Sequence, residues 1–213
     1  TLPAELQPAV DAAMTLPHSI VTGRVREILA RLPVIDLTRF CKTATDEQIR
    51  KAFVHYTFMI QSWVWGEREV PTSLPECLAK PAWQLADALD SKPLLTYATY
   101  VLDNWAKVDA DGPVDLSNVY MVQPFLSGGD EAWFVLVHVA IEARAGDMLA
   151  TIPEVIDACE ANDAAAVAAG LKRISEGWDA VNAIFDRMPE RCDPYIYFNR
   201  VRPYIHGWKD NPA

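Results

Sequence analysis

The sequence predicts an all-α protein. Apolar residues recur at spacings of three and four along most of the chain, which is the period of one face of an α-helix. Alternation of apolar and polar residues, which would indicate strands, is scarce, and no internal repeat is visible. Because 51% of the 213 residues are hydrophobic, the chain can bury a substantial core, in one domain or in two small ones.

Two helices are predicted near the start of the chain. The first covers residues 19–32, where apolar side chains lie three or four positions apart. The second begins after Thr45, because Thr45 and Gln48 have the spacing of a capping box, in which each side chain binds the backbone of the other residue. Gly66 is a natural end for this helix.

Prolines divide the next stretch of the chain. Pro71, Pro75 and Pro81 predict a loop with at most one short helical turn, since proline lacks the N–H that a helix interior needs. Pro93 stands where a first helical turn would begin, so a further helix is expected over Leu94–Trp105.

Glycines and prolines between residues 110 and 129 predict a long connection, which is the best candidate for a domain boundary. The chain would then divide into a small helical domain with its connecting segment, residues 1–125, and the beginning of a larger helical domain, residues 126–213. Residues 131–152 are apolar on almost every side, as in a central helix. Pro153 should interrupt that helix.

Two more helical segments are expected after it. Asp163 can cap a helix with its own carboxylate, and that helix should run to about Met188. A short last helix is predicted over Tyr195–Ile205, ended or kinked by Pro203.

Composition excludes several classes of function. A net charge of -10 disfavours nucleic acid and anionic membranes as partners, since both bind basic surfaces. The four cysteines form no C-x-x-C pair, which indicates reduced thiols in a cytoplasmic protein and no zinc framework. The longest apolar run, residues 133–141, is too short to cross a bilayer. Motifs for nucleotide binding and for α/β-hydrolase chemistry are absent from the sequence.

Two polar residues stand out as candidates for chemistry. His138 lies in the most apolar predicted helix, with Glu142 one turn later on the same face. The histidine could serve catalysis or be a structural residue of the core, and Glu142 could orient it or bind a neighbouring helix. Arg202 lies among aromatic residues, which suits a guanidinium that holds a carboxylate, but an interhelical salt bridge is equally consistent. His206, one turn after Arg202, could share that surface.

Four local patterns, taken in order and spacing, resemble the indoleamine 2,3-dioxygenase family, in a form of bacterial type. They are Trp63–Gly66, Tyr97–Trp105, Trp133–Glu142 and Val201–Pro212. The resemblance implies an all-helical fold in which a small domain precedes a larger one that binds haem b. It also implies a reaction in which O2 is inserted across the indole C2–C3 bond of L-tryptophan, giving N-formylkynurenine in the kynurenine pathway. Haem would supply the oxygen chemistry and the protein the binding and orientation.

The resemblance also assigns roles to individual residues. Arg202 matches the arginine that binds the substrate carboxylate, and Phe134 and Tyr197 match aromatic residues beside the indole. Tyr97, Tyr100 and Val101 match residues that line the inner pocket. The expected substrate-binding residues are therefore Arg202, Tyr197, Phe134, Tyr97 and Tyr100, while Val101 and Ile205 are expected to contact the cofactor.

Two of these positions depart from the family pattern. His138 replaces a serine of the mammalian enzymes, whereas the sister tryptophan 2,3-dioxygenases have a histidine on the distal side of the haem. We therefore predict His138 as the catalytic residue, accepting a hydrogen bond from the indole N–H. Tyr197 replaces a phenylalanine, and its hydroxyl would need a partner to avoid a desolvation cost.

The expected iron ligand is missing from the sequence. None of the four histidines matches the family's proximal position, so no metal-ligating residue is assigned and the chain is expected to be part of a longer enzyme. Two alternatives stay open. One is a haem enzyme that transforms an indole differently in secondary metabolism, and the other is an inactive fragment that binds an indole or a protein partner.

Overall fold

The computed structural model describes residues 1–208 and is helical, which confirms the predicted all-α class. After a 3-10 turn at Ala4–Leu6, four short helices lead to a long fifth one. They are α1 (Gln7–Met14), α2 (Leu16–Val21), α3 (Val25–Leu29), α4 (Thr38–Thr43) and α5 (Asp46–Trp65). Helices α1, α2 and α3 pack against α5, which is buried along most of its length.

The capping box at the start of α5 is confirmed. The backbone N–H of Gln48 donates to Thr45 Oγ1 over 3.3 Å, and the backbone N–H of Thr45 donates to Gln48 Oε1 over 3.1 Å. Helix α5 ends at Trp65, immediately before Gly66, as predicted. The prediction of a single helix over residues 19–32 is wrong, because Gly23 adopts a φ of 65° and ends the helical conformation between α2 and α3.

The prediction of a loop around Pro81 is wrong. Helix α6 spans Glu76–Ala88, with Pro81 in its interior. Six residues at helical spacing are buried along this helix: Cys77, Leu78, Pro81, Ala82, Leu85 and Ala86. Burial of this face against α5 therefore outweighs the backbone hydrogen bond that the proline cannot make.

The helix expected over Leu94–Trp105 is shorter than predicted. It is a π-helical turn, Ala98–Leu102, and Trp105 already begins a strand. Strands β1 (Trp105–Lys107) and β2 (Val119–Met121) pair antiparallel, with Ala106 opposite Tyr120. The connection predicted at 110–129 is present, but it contains β2, which the sequence pattern did not indicate.

Two long helices form an antiparallel hairpin in the second half of the described chain. Helix α7 runs without a break from Gly129 to Glu160, so the interruption predicted at Pro153 is wrong. Only its first part is buried on several sides, and most residues after Ile141 are exposed. Helix α8 (Ala164–Phe185) begins as predicted, with Asp163 Oδ1 accepting the N–H of Ala166 over 3.0 Å. Within residues 1–208, no helix combines the length and the apolarity that crossing a membrane requires.

The last segment is helical, as expected, but not uniformly so. A 3-10 turn, Met188–Glu190, is followed by α9 (Pro194–Ile196), a π-helical turn at Tyr197–Val201 and a 3-10 turn at Arg202–Ile205. Pro203 lies inside that final turn, and the helical segment ends two residues later. The end of the Val201–Pro212 pattern lies outside the described residues.

Two clusters of buried side chains hold the fold together. The larger joins α1 to α6 with Tyr100, Val101 and Phe125, and it includes Val135 and Val139 from α7. The smaller contains Trp133, Val137, Cys192, Tyr197 and Val201. Helix α7 contributes to both, and the proposed division at residue 125 stays a prediction.

Candidate functional site

The predicted site residues come from three parts of the fold: the π-helical turn at 98–102, the first half of α7, and the segment 197–205. Phe134, His138 and Glu142 lie one turn apart along a single face of α7. Tyr97 immediately precedes the π-helical turn, and Tyr197 begins the one at 197–201. The fold therefore brings the aromatic candidates together.

Four of these residues form a continuous row of rings, which we call the aromatic row: Tyr97, His138, Phe134 and Tyr197. The ring of Phe134 stacks on that of Tyr197 with centroids 4.1 Å apart and lies 4.4 Å from the ring of His138. Tyr97 meets His138 edge-on, with centroids 6.2 Å apart. Aromatic rings at these separations attract each other. The planes of neighbouring rings differ by 22° to 75°, so the row is a packed series of rings and not a flat surface.

The orientation of His138 is fixed by its own helix. Its Nδ1 lies 2.7 Å from the backbone carbonyl oxygen of Phe134, one turn earlier. Because a carbonyl oxygen can only accept, Nδ1 must carry the proton, and the neutral ring then has a lone pair on Nε2. No hydrogen-bond partner for Nε2 is found among residues 1–208. The half-buried ring therefore offers a free acceptor in the aromatic row.

Glu142 does not contact His138 through a hydrogen bond but binds Tyr97. The hydroxyl of Tyr97 donates to Glu142 Oε1 over 3.0 Å. Burial, together with this neighbouring carboxylate, raises the pKa of Tyr97 to about 12. Glu142 therefore does not orient His138 through a hydrogen bond. It binds the segment that carries Tyr97, and Tyr97 in turn contacts the ring of His138.

The hydroxyl of Tyr197 has a partner within the protein. Tyr100 and Tyr197 are both buried, and their hydroxyl oxygens are 3.5 Å apart. Burial raises the pKa of both groups, so both stay protonated at neutral pH. This contact is long for an O–H···O hydrogen bond and uses only one of the two hydroxyl hydrogens, so it satisfies the extra hydroxyl at position 197 only in part.

Arg202 is exposed at the start of the last 3-10 turn. It lines a cavity of about 240 Å³ together with Ile205, His206 and Gly207. The positive charge of Arg202 lowers the pKa of Tyr197 and so opposes the rise that burial causes. Among the described residues no carboxylate forms an ion pair with Arg202, so the interhelical salt bridge considered from the sequence is not observed there.

The two expected cofactor contacts differ in environment. Val101 is fully buried in the larger core, whereas Ile205 is half-buried beside Arg202. His206 is fixed through its backbone, since its carbonyl oxygen accepts from Gln61 Nε2 over 3.0 Å and from Trp65 Nε1 over 3.2 Å. Gln61 and Trp65 belong to α5, which therefore anchors the segment that follows Arg202.

Glu131 is a buried acid that the sequence reading did not single out. Its two carboxylate oxygens accept the backbone N–H groups of Phe125, over 2.7 Å, and of Leu126, over 2.8 Å. Burial raises its pKa to about 7, although the two hydrogen bonds oppose this rise. The sequence contained one signal for this role. Glu131 lies three residues after Gly128, in the first turn of α7, and acids in the first turn of a helix commonly bind backbone N–H groups.

His55 is also buried, within α5, and was not assigned a role. Its Nδ1 lies 2.8 Å from Gln123 Oε1, while Gln123 Nε2 donates to the carbonyl oxygens of Ala13 and Pro124. This arrangement leaves His55 Nε2 without a partner among the described residues. Burial lowers the pKa of His55, which therefore stays neutral. Residues 1–208 hold no group of three or more histidine, cysteine or acidic side chains that could bind a metal ion.

The chain is similar to known proteins over almost its whole length. The family model described as indoleamine 2,3-dioxygenase matches residues 1–213. The chain is 32% identical over 211 residues to indoleamine 2,3-dioxygenase 1 of Rattus norvegicus, covering 99% of this chain and 52% of the relative. It is 31% identical over 215 residues to indoleamine 2,3-dioxygenase nanC of Aspergillus nanangensis, covering 99% and 49%.

A further relative has a different kind of name. The chain is 27% identical over 209 residues to a myoglobin of Haliotis madaka, covering 97% of this chain and 53% of the relative. The chain thus spans about half the length of the curated relatives it matches.

Proposed function

Because this chain belongs to the indoleamine 2,3-dioxygenase family, we propose that it forms the distal side of a haem dioxygenase acting on L-tryptophan or a close analogue. The reaction consumes O2, cleaves the indole C2–C3 bond and yields N-formylkynurenine, as in the kynurenine pathway. The observation that carries this proposal is the aromatic row with the free Nε2 of His138 within it.

The residues present fit one face of a haem. That face needs a mostly apolar lining with few polar groups, and the aromatic row supplies such rings with one fixed acceptor, Nε2 of His138. Ile205 is half-buried and would contact haem b, which binds and activates O2 when present. Val101 is fully buried and would contact it only after the side chains that cover it move. The proximal ligand of the iron would come from a segment outside these 213 residues.

Exposed apolar residues on the hairpin support the presence of such a segment. Leu149, Ile152 and Ile156 are three to seven positions apart on α7 and continue the face of His138 away from Phe134. All three are at least 40% exposed, which is costly unless another polypeptide segment covers them.

Arg202 binds the substrate carboxylate in this proposal. A guanidinium presents two parallel N–H donors that match a carboxylate, and the free charge of Arg202 lies at the rim of a small cavity. Tyr197 and Phe134 would then stack on the indole, and Tyr97 and Tyr100 would close the inner pocket. Binding the carboxylate at Arg202 orients the ring relative to O2.

His138 orients the indole from the other side. Its Nε2 lone pair accepts the indole N–H, and this hydrogen bond lies in a site where water is partly excluded. Because Nδ1 is held by the backbone of Phe134, the ring cannot rotate to present a donor instead.

The free state of all four cysteines supports a reducing compartment, and we place the protein in the cytoplasm.

Product analysis tests this function. Haem-loaded protein supplied with L-tryptophan, O2 and a reductant should release N-formylkynurenine, identified by mass and absorbance. A rearranged or hydroxylated indole would instead support the alternative of a biosynthetic haem enzyme and overturn the proposed reaction.

A second function is reversible O2 binding without turnover. The observation that favours it is the similarity to a protein named myoglobin, which covers 97% of this chain. A stable, reversible O2 complex that persists in the presence of L-tryptophan, with no product formed, would support this second function over the dioxygenase.

A further inference from the structure

Glu131 occupies an unusual position for an acid, since its side chain is fully buried at the start of α7. Both carboxylate oxygens are used, one by the backbone N–H of Phe125 and the other by that of Leu126. No lysine, arginine or histidine forms an ion pair with it among residues 1–208. Two backbone amides are therefore the groups that stabilise its charge, and the charge in turn fixes their position. We call this arrangement the Glu131 contact.

The Glu131 contact holds a residue that lies at the junction of several elements. Phe125 is fully buried, and its ring stacks on those of Phe58, Tyr204 and Tyr100, with centroids 4.3, 5.5 and 6.2 Å away. Phe58 belongs to α5, Tyr100 to the first π-helical turn, and Tyr204 to the 3-10 turn that begins at Arg202. A shift of the Phe125 backbone would therefore be transmitted to two parts of the candidate site.

The titratable groups that face Glu131 are tyrosines. Its charge contributes to the raised pKa of Tyr100, of Tyr197 and of Tyr204, one from each segment packed near it. All three are neutral near pH 7, so none can replace the missing counter-charge. The charge of Glu131 therefore acts on Tyr197 of the aromatic row without being neutralised by these three tyrosines.

We infer that Glu131 is a positioning residue for substrate binding, acting through the Phe125 backbone and its stacked rings on Tyr100 and on the turn that carries Arg202. The inference rests on the proposed function, because it assigns the affected step to the binding of an amino-acid carboxylate. The ionised carboxylate holds both amides, whereas the protonated acid presents a hydroxyl to one of them and loses that hydrogen bond.

The variant Glu131→Gln imitates the protonated acid at every pH, since its amide can accept only one of the two N–H groups. At pH 8 the KM for L-tryptophan should rise about tenfold, the effect of one hydrogen bond to a charged group, while kcat changes less than about twofold. Glu154→Gln is the matched control, since Glu154 is an exposed residue of the same helix that pairs with Arg173. It should leave KM unchanged.

The pH dependence distinguishes positioning from a general structural defect. Glu131 has a pKa of about 7, so the wild-type protein becomes protonated at this residue between pH 8 and pH 6. Its KM should rise towards that of the variant, and the ratio of the two KM values should fall from about tenfold at pH 8 towards one at pH 6. A ratio that is the same at both pH values would overturn the inference.

Hydrogen exchange of the Phe125 and Leu126 amides gives a readout that needs no substrate. In the wild-type protein the protection factors should decrease from pH 8 to pH 6, and in Glu131→Gln at least one should be about tenfold lower at pH 8. The wild-type series alone decides the contact if the variant folds poorly, and pH-independent protection overturns it. Faster exchange with an unchanged KM would overturn the positioning role. A wild-type protein that does not bind L-tryptophan would overturn the proposed function and this role with it, while the exchange data still decide the contact.

Discussion

His138 has a free acceptor because its other ring nitrogen is bound within α7. The 2.7 Å contact between Nδ1 and the Phe134 carbonyl oxygen fixes the tautomer without any second side chain. A serine at this position would place a shorter hydroxyl against the same backbone carbonyl. The histidine therefore extends the acceptor further from the helix, towards the space beside the aromatic row.

Replacing His138 tests whether this acceptor binds the indole N–H. We expect His138→Ala to raise the KM for L-tryptophan or lower kcat by about tenfold to a hundredfold, as loss of a hydrogen bond in a partly dry site does. Steady-state kinetics with 1-methyl-L-tryptophan, which has no indole N–H, is the control. The variant should lose the discrimination between the two substrates. Unchanged affinity and turnover for L-tryptophan would show that His138 has no such role.

Arg202 is proposed to bind the substrate carboxylate at the other end of the site. Arg202→Leu should raise the KM for L-tryptophan by about tenfold to a hundredfold, because a bidentate, charge-assisted pair is lost, and should leave the haem content unchanged. Indole, which has no carboxylate, should bind equally to both proteins. Arg200→Leu is the matched control, two residues earlier and also exposed. An unaltered KM in Arg202→Leu would count against the assignment.

The single elements show which local signals are strong enough to predict structure. The starts of α5 and α8 follow from Thr45 and Asp163, because a capping side chain binds backbone groups only three residues away. Pro81 and Pro153 misled the prediction, since each lies inside a helix. In α6, burial of one face against α5 outweighs the hydrogen bond that Pro81 cannot make. Local sequence patterns do not predict a contact between two separate helices.

The α7–α8 hairpin depends on a glycine at a close approach. A Cβ atom added to Gly170 would meet Cγ2 of Val155 at less than contact distance, whereas nothing lies within 4 Å of one added to Gly146 on α7. Gly170→Ala should therefore lower the free energy of unfolding by about 1–3 kcal/mol through overpacking. Gly146→Ala should raise it by about 0.5–1 kcal/mol, since alanine has the higher helix propensity. Urea unfolding of both variants measures this, and equal effects would contradict the packing of α7 on α8.

Over the whole molecule, the sequence predicts the fold class well and the assembly of the site only in part. Helical periodicity is local, so it indicates an all-α protein, but the pairing of β1 with β2 depends on residues 14 positions apart, such as Ala106 and Tyr120. The gathering of Tyr97, Phe134 and Tyr197 was expected from family resemblance, since three separate segments supply them. Glu131 could not be assigned a partner in advance, because the groups it binds are backbone amides and leave no mark on the sequence.

The central claim is that these residues hold L-tryptophan beside a haem. It is tested most directly by the absorption spectrum of the full-length, haem-loaded protein, reduced with dithionite under CO and titrated with L-tryptophan. We expect a Soret band of histidine-ligated ferrous–CO haem that shifts as L-tryptophan binds, with the shift weakened in Arg202→Leu. A Soret band that L-tryptophan leaves unchanged at saturating concentration would contradict the claim.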